Sequence, residues 1–280
     1  MRIRRSALVF FGALSSLPVA HIDRAASVGC IFELPHPRLI VQLHPRADAP
    51  FTLNDIDRAL AAGVHGVELD LRLRPADGAV VCSHSPHGLK SRPTMDESIE
   101  RILERRGASG SVLGDGLQFF IVLDVKEQSP LLYRGIVETL RRHADSWSTG
   151  ATPGGPPRGI TIVVSGGSRG LADFAEPATL DRLCILEGTD YRGRIRSISP
   201  SPRLGPERFQ WVSIQHPGER GRVRALHRGM DLARRGEFNV RVYDCHHSLA
   251  DCAAEGADAI NADLDELRDA VKLPGAASRP

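Results

Sequence analysis

Short runs rich in Val, Ile and Leu recur along the whole chain, each separated from the next by an amphipathic stretch rich in alanine and arginine. This alternation constrains the fold more than any other feature of the sequence. A strand with apolar residues on both faces must be covered on both faces. Such strands belong to parallel sheets whose connections are helices. Eight runs qualify, over 39–44, 66–73, 118–126, 159–166, 183–188, 209–215, 238–245 and 258–263. Helical patterning falls at 53–62, 95–105, 130–143, 178–182, 220–235 and 249–255, with a last segment at 264–272. Eight strand–helix units predict an α/β chain folded as a (β/α)8 TIM barrel, one single domain over 36–273. The length of 280 residues suits this reading, because such barrels typically need about 250.

Several helix ends carry their own signals. In "TLNDIDRALAAG", Thr52 or Asn54 can serve as N-cap, and Gly63 stands where a helix would stop. Thr94 precedes Glu97 by three positions, the spacing of a capping box. The Gly-, Pro- and Ser-rich stretches 148–159 and 197–208 read as surface loops, not domain breaks, since strand–helix alternation resumes after each. Residues 274–280 read as a disordered tail.

With 41% hydrophobic and 25% charged residues, the chain has the material for a sizeable core. A formal net charge of +2 argues against nucleic acid as a partner bound by bulk electrostatics. An aromatic content of 5% offers no membrane-inserting belt, so membrane contact is expected to be peripheral at most. The first residues, "MRIRRSALVFFGALSSLPVA", pair three arginines with a short apolar run. That is the pattern of an export signal peptide, assigned to residues 1–26 and implying a periplasmic or extracellular location. The run is too short for a transmembrane helix, which takes roughly 20 apolar residues. Five cysteines fit no zinc or CxxC spacing. Cys82 and Cys184 read as buried thiols. So does Cys245, although it could instead form a disulfide with Cys252 in an exported protein.

In "VHGVELDLRL" an otherwise apolar strand carries Glu68 and Asp70, two apart and therefore on one face. The strand over 118–126 carries Asp124 and Lys126 with the same spacing. The hairpin "ADGAVVCSH" turns at Asp77–Gly78 and brings back His84, while the first strand ends at His44. In a barrel these C-terminal strand ends meet at one mouth. Three carboxylates brought together need a cation, and all-oxygen ligation suits Mg²⁺ or Ca²⁺. Two histidines beside a cation suit general acid–base work, and a lysine there suits an anion. The set points to phosphodiester cleavage. His216 follows the sixth strand at a mouth position, whereas His87, His246 and His247 fall in expected surface loops.

Together these residues resemble the glycerophosphodiester phosphodiesterase and PLC-like phosphodiesterase superfamily, whose members are metal-dependent TIM barrels. The resemblance rests on His44, on "GVELDLRL", on "VVCSH", on "LDVK" and on the closing "AINADLDEL". It implies a phosphoric diester hydrolase acting on a small-molecule or lipid phosphodiester. It further implies His44 and His84 as the catalytic pair, Glu68, Asp70 and Asp124 as ligands of a divalent cation, and Lys126 as a phosphate contact, with Arg46 a second such contact. Two departures stand out. Arg46 lies one position beyond the family's usual His-Arg-Gly arrangement, and Ser85 follows His84 where the family prefers Asp. The surrounding segments are more similar to a divergent subgroup that contains fungal mitochondrial-inheritance proteins and, more distantly, sphingomyelinase D toxins. The rivals are a barrel that binds a polyol-phosphate or lipid head group without turnover, and a metal-dependent lyase or aldolase.

Overall fold

A computed structural model describes residues 38–42, 50–106, 111–112, 118–147, 159–176, 179–180, 183–190, 211–215, 230–231, 239–243, 249, 252 and 256–264. Its strands are β1 (Arg38–Gln42), β2 (Gly66–Leu73), β3 (Val80–Cys82), β4 (Phe119–Val125), β5 (Ile160–Ser165), β6 (Ile185–Asp190), β7 (Trp211–Gln215), β8 (Asn239–Tyr243) and β9 (Ala259–Asp263). The helices are α1 (Leu53–Ala61), α2 (Met95–Leu103), α3 (Pro130–Arg142) and α4 (Ser168–Phe174).

Eight of the strands pair in parallel around a ring. β1 pairs with β2, then β4, β5, β6, β7, β8 and β9 follow, and β9 pairs back onto β1 through Leu39↔Ile260 and Val41↔Ala262. The ninth, β3, is the return arm of a hairpin and runs antiparallel to the upper half of β2. β1 covers β2 only as far as Glu68, and β3 takes up β2 from Leu71 to Leu73. The hairpin turn is held by Asp77, which accepts from Arg74 Nε at 2.9 Å and from the Ala79 amide at 3.1 Å. Gly78 sits there at φ 73°, a conformation that glycine adopts at little cost.

The ring divides the apolar residues into two cores. Outward-facing Val67, Leu69 and Leu71 of β2 and Ile121 and Leu123 of β4 pack with Ile99, Ile102, Leu132 and Ile136 of the helices. Inside the barrel a smaller plug holds Ile40, Phe120, Val122, Val163 and Ala259, all fully buried. Toward the C-terminal strand ends that interior turns polar. Val122 gives way to Asp124, Val163 to Ser165, Ile185 to Glu187 and Ala259 to Asn261. Alternation with a period of two keeps each pair on one face, so the sequence itself stacks a polar layer on the apolar plug.

The helices begin as their caps dictate. Thr52, not Asn54, caps α1, and its amide and hydroxyl both donate to Asp55 Oδ2, at 2.8 and 2.9 Å. The capping box of α2 is formed: the Thr94 amide donates to Glu97 Oε2 at 2.7 Å, and the Glu97 amide donates to Thr94 Oγ1 at 3.1 Å.

Some boundaries differ from the sequence reading. β6 runs two residues beyond the expected 188, and β4 stops at Val125, leaving Lys126 just past the strand. A helix over 168–174 was not expected. The "SGGSRG" that precedes and enters it has the composition of a turn, and packing of Leu171 and Ala172 against the barrel overrides that weak propensity. Cys82 and Cys184 are buried thiols, as expected. Cys252 is disulfide-bonded; Cys30 and Cys245 lie outside the described residues. So do the segment 1–26, His44, Arg46, His216, His246, His247, the tail 274–280, nearly all of both expected loops and most of the expected helices beyond 216. Among the described residues, no helix is long and apolar enough to cross a membrane.

Candidate active site

Parallel pairing sets Glu68 beside Val122 and Asp70 beside Asp124, so the acidic ends of β2 and β4 rise together. Carboxylate oxygens of Glu68, Asp70 and Asp124 all lie within 4.8 Å of one another. Glu68 and Asp70 are buried, at 3% and 5% exposure. Lys126 caps the group, its Nζ 2.9 Å from Asp70 Oδ1 and also in contact with Asp124 Oδ2. His84 closes it from the hairpin, with Nδ1 2.8 Å from Asp70 Oδ2. An ionised carboxylate can only accept, so Nδ1 carries the proton and donates it. Five of the seven residues expected at the site therefore stand together. His44 and Arg46 lie outside the described residues.

Beneath this group sits a buried network that the sequence reading did not single out. Arg241, 3% exposed, forks onto Glu187 through Nε and Nη2 at 2.7 and 2.6 Å. Its Nη1 donates to Glu68 Oε2, and Nη2 reaches Ser165 Oγ at 3.3 Å. Asn261 Nδ2 donates to the same Glu68 oxygen at 2.7 Å. A signal existed. Arg241 and Glu187 are lone charges inside apolar parallel strands, and such charges need a buried opposite partner.

Charge decides what the cluster can hold. Among the described residues of this network, four carboxylates (Glu68, Asp70, Asp124, Glu187) face two fixed cations, Lys126 and Arg241. The remaining deficit equals the charge of one divalent ion. Burial, and then the neighbouring Glu68, push Asp124 up to about 6, against the pull of Lys126. Burial works against the Lys126 ammonium, but Asp70, Asp124 and Glu68 outweigh it and hold its pKa above the ordinary value. A hard, oxygen-preferring cation fits this donor set. A second acidic group at Asp96, Glu100 and His143 is already engaged, since Asp96 accepts from Arg142 at 3.1 Å and His143 at 2.9 Å.

Because the folded protein raises the Asp124 pKa above the ordinary aspartate value, this carboxyl's contribution to stability is present below about 4. It is lost as pH rises through about 6. In chelated protein, the urea midpoint of wild type relative to Asp124→Asn is expected to fall across that window. Adding a divalent ion is expected to flatten the difference.

Gly166 fixes where Asp124 can stand. It sits at φ 64°, and a Cβ there would collide with Asp124 Oδ1 and lie 2.8 Å from the Val125 carbonyl. Gly166→Ala is therefore expected to cost about 1–3 kcal/mol in chemical denaturation. It should also weaken divalent-ion binding by roughly 10-fold or more, read by titration calorimetry.

No family model matches the chain, and no curated protein matches it significantly. Solved structures do. A glycerophosphodiester phosphodiesterase from Agrobacterium tumefaciens superposes with a TM-score of 0.52 at 17% identity, over 84% of this chain and 99% of that one. Another from Parabacteroides distasonis gives 0.52 at 14% identity, over 84% and 97%. The chain shares their fold. This agrees with the (β/α)8 ring traced by the strand pairing and with the single-domain reading of the apolar runs.

Proposed function

We propose that the chain is a metal-dependent phosphoric diester hydrolase acting on a glycerophosphodiester or phospholipid-like substrate. One observation carries the reading: a three-carboxylate cluster, a lysine and a histidine held by Asp70 converge at the C-terminal mouth of the barrel. The likeness to solved glycerophosphodiester phosphodiesterases supports it. The sequence motifs favour a place near the divergent subgroup. The same proposal takes in export by residues 1–26 and a substrate without nucleic acid.

Glu68, Asp70 and Asp124 would hold the cation, Mg²⁺ or Ca²⁺. Bound there, a divalent ion supplies charge stabilisation to a non-bridging phosphate oxygen. Lys126 stands on the same side and donates to the phosphate. Asp70 fixes the Nδ1–H tautomer of His84, so Nε2 is the atom that faces the substrate. It gives a proton to the leaving alkoxide, and Asp70 stabilises the imidazolium needed for that step. His44 takes the proton from the attacking group, either water or a neighbouring substrate hydroxyl. Arg46 is assigned to the phosphate on sequence grounds. Arg241 and Asn261 orient Glu68 from below.

The test uses the full chain with an aryl phosphodiester and a panel of glycerophosphodiesters. Turnover is expected with Mg²⁺ or Ca²⁺, lost in EDTA and restored by added ion. Saturable glycerophosphodiester binding without turnover under any divalent ion would instead establish a binding protein.

A further inference from the structure

Asp70 holds the His84 ring, but one hydrogen bond to a ring does not fix the backbone that carries it. The His84 side chain is 49% exposed and stands on a hairpin exit. Ser85 follows it, so no carboxylate comes from the next position. A second hold is present. Arg72 donates from Nε at 3.0 Å and from Nη2 at 2.9 Å to the His84 carbonyl oxygen. The planar guanidinium places both bonds on one acceptor, a geometry that lysine cannot reproduce. Arg72 is itself steered. Its Nη1 lies 3.7 Å from Glu127 Oε2, and Glu127 Oε1 accepts the Leu73 amide at 3.1 Å. Asp70 and Arg72 are two apart on β2, so one strand grips His84 at both ring and backbone.

We propose that Arg72 is the positioning residue of His84, replacing the carboxylate absent after the histidine and setting the reach of Nε2 to the leaving oxygen. The proposal rests on the phosphodiesterase reading above and refines it. Its signature is leaving-group dependence. A nitrophenolate departs without a proton, whereas an alkoxide needs one. A displaced His84 therefore slows alkyl diesters and spares aryl ones.

The experiment compares wild type, Arg72→Met, Arg72→Lys and His84→Ala on an aryl diester and an alkyl glycerophosphodiester, with the thermal midpoint recorded for each. In Arg72→Met, kcat for the alkyl substrate is expected to drop by about 10-fold or more relative to the aryl one. KM and the thermal midpoint should stay close to wild type, and Arg72→Lys should recover only part of the ratio. An unchanged ratio, or an equal fall for both substrates, would overturn the proposal. Full activity of His84→Ala on the alkyl diester would overturn the proton-donor role of His84, and the positioning role with it, whereas no turnover of either diester by wild type would overturn the phosphodiesterase reading. A second readout needs no turnover. The His84 Nδ1 proton in nitrogen-labelled full-length protein is expected to be protected from exchange in wild type and to exchange faster in Arg72→Met. Equal exchange in the two proteins counts against the proposal even if no diester is cleaved.

Discussion

Asp70→Asn is expected to lower phosphodiester turnover by about 10³-fold or more. No other single change should remove as much, because Asp70 serves three neighbours at once. Its Oδ2 accepts from His84 Nδ1 at 2.8 Å, its Oδ1 pairs with Lys126 Nζ at 2.9 Å, and it completes the carboxylate cluster. Asparagine keeps the shape and loses both properties that matter. It carries no charge toward a divalent ion, and one end of its amide is a donor. That end must face either the His84 Nδ1–H or the Lys126 ammonium, both donors themselves. The ring then turns over or swings away, and Nε2 no longer presents a proton. Folding should suffer far less. The substitution removes one of the crowded carboxylates that push Asp124 upward, which offsets part of the lost Lys126 pair. Steady-state kinetics should therefore show a deep loss of kcat, with a urea midpoint near wild type. An unfolded or strongly destabilised Asp70→Asn would recast Asp70 as a structural anchor.

The second large effect lies below the mouth. Arg241→Met is expected to destabilise the barrel by about 3–5 kcal/mol, read from urea unfolding. Arg241 is buried at 3% exposure between Glu187, at 0%, and Glu68, at 3%. Burial alone would favour the neutral guanidine, yet Glu187 and Glu68 outweigh it and hold the arginine charged. Removing the guanidinium leaves both buried carboxylates without their shared cation. Arg241→Met with Glu187→Met should recover a good part of the loss, since one stranded carboxylate leaves with its partner. Glu68 would keep Asn261 but still lack the guanidinium, so the double variant should depend more steeply on divalent ion for its stability than wild type does. A single variant as stable as wild type would show that the network carries no folding energy.

Much of the barrel was legible because its strands obey two simple rules. β2 matches the expected run residue for residue: Val67, Leu69 and Leu71 point out to the helices while Glu68 and Asp70 point in. The same parity sets Asp124 and Lys126 at the mouth, and the turn at Asp77–Gly78 returns His84 to it. Arg241 escaped because its meaning lies in pairing. Its contact to Glu68 spans 173 positions and its contact to Glu187 spans 54, so the strand shows a lone charge without showing its partners. Arg72 escaped for a different reason. It stands near the end of β2 with no motif to mark it, and only the course of the hairpin brings the His84 carbonyl to its guanidinium. The helix over 168–174 was hidden behind a pair of glycines whose turn-like composition hid a segment stabilised by tertiary contact.

The short reach of β1 along β2 has a further consequence. Glu68, Asp70 and Asp124 belong to strands of the closed ring, where a shift of register would disturb neighbours on both sides. His84 belongs to an appendage that borrows only the last three residues of β2, from Leu71 to Leu73. The two halves of the proposed chemistry therefore rest on different parts of the fold. Ion binding is locked into the ring, while proton delivery rides on a hairpin whose β3 is packed into the core and whose exit beyond Cys82 is exposed. A laboratory search for new leaving-group preferences should vary 85–92, keep His84 and the buried Val80–Cys82, and leave the ring alone.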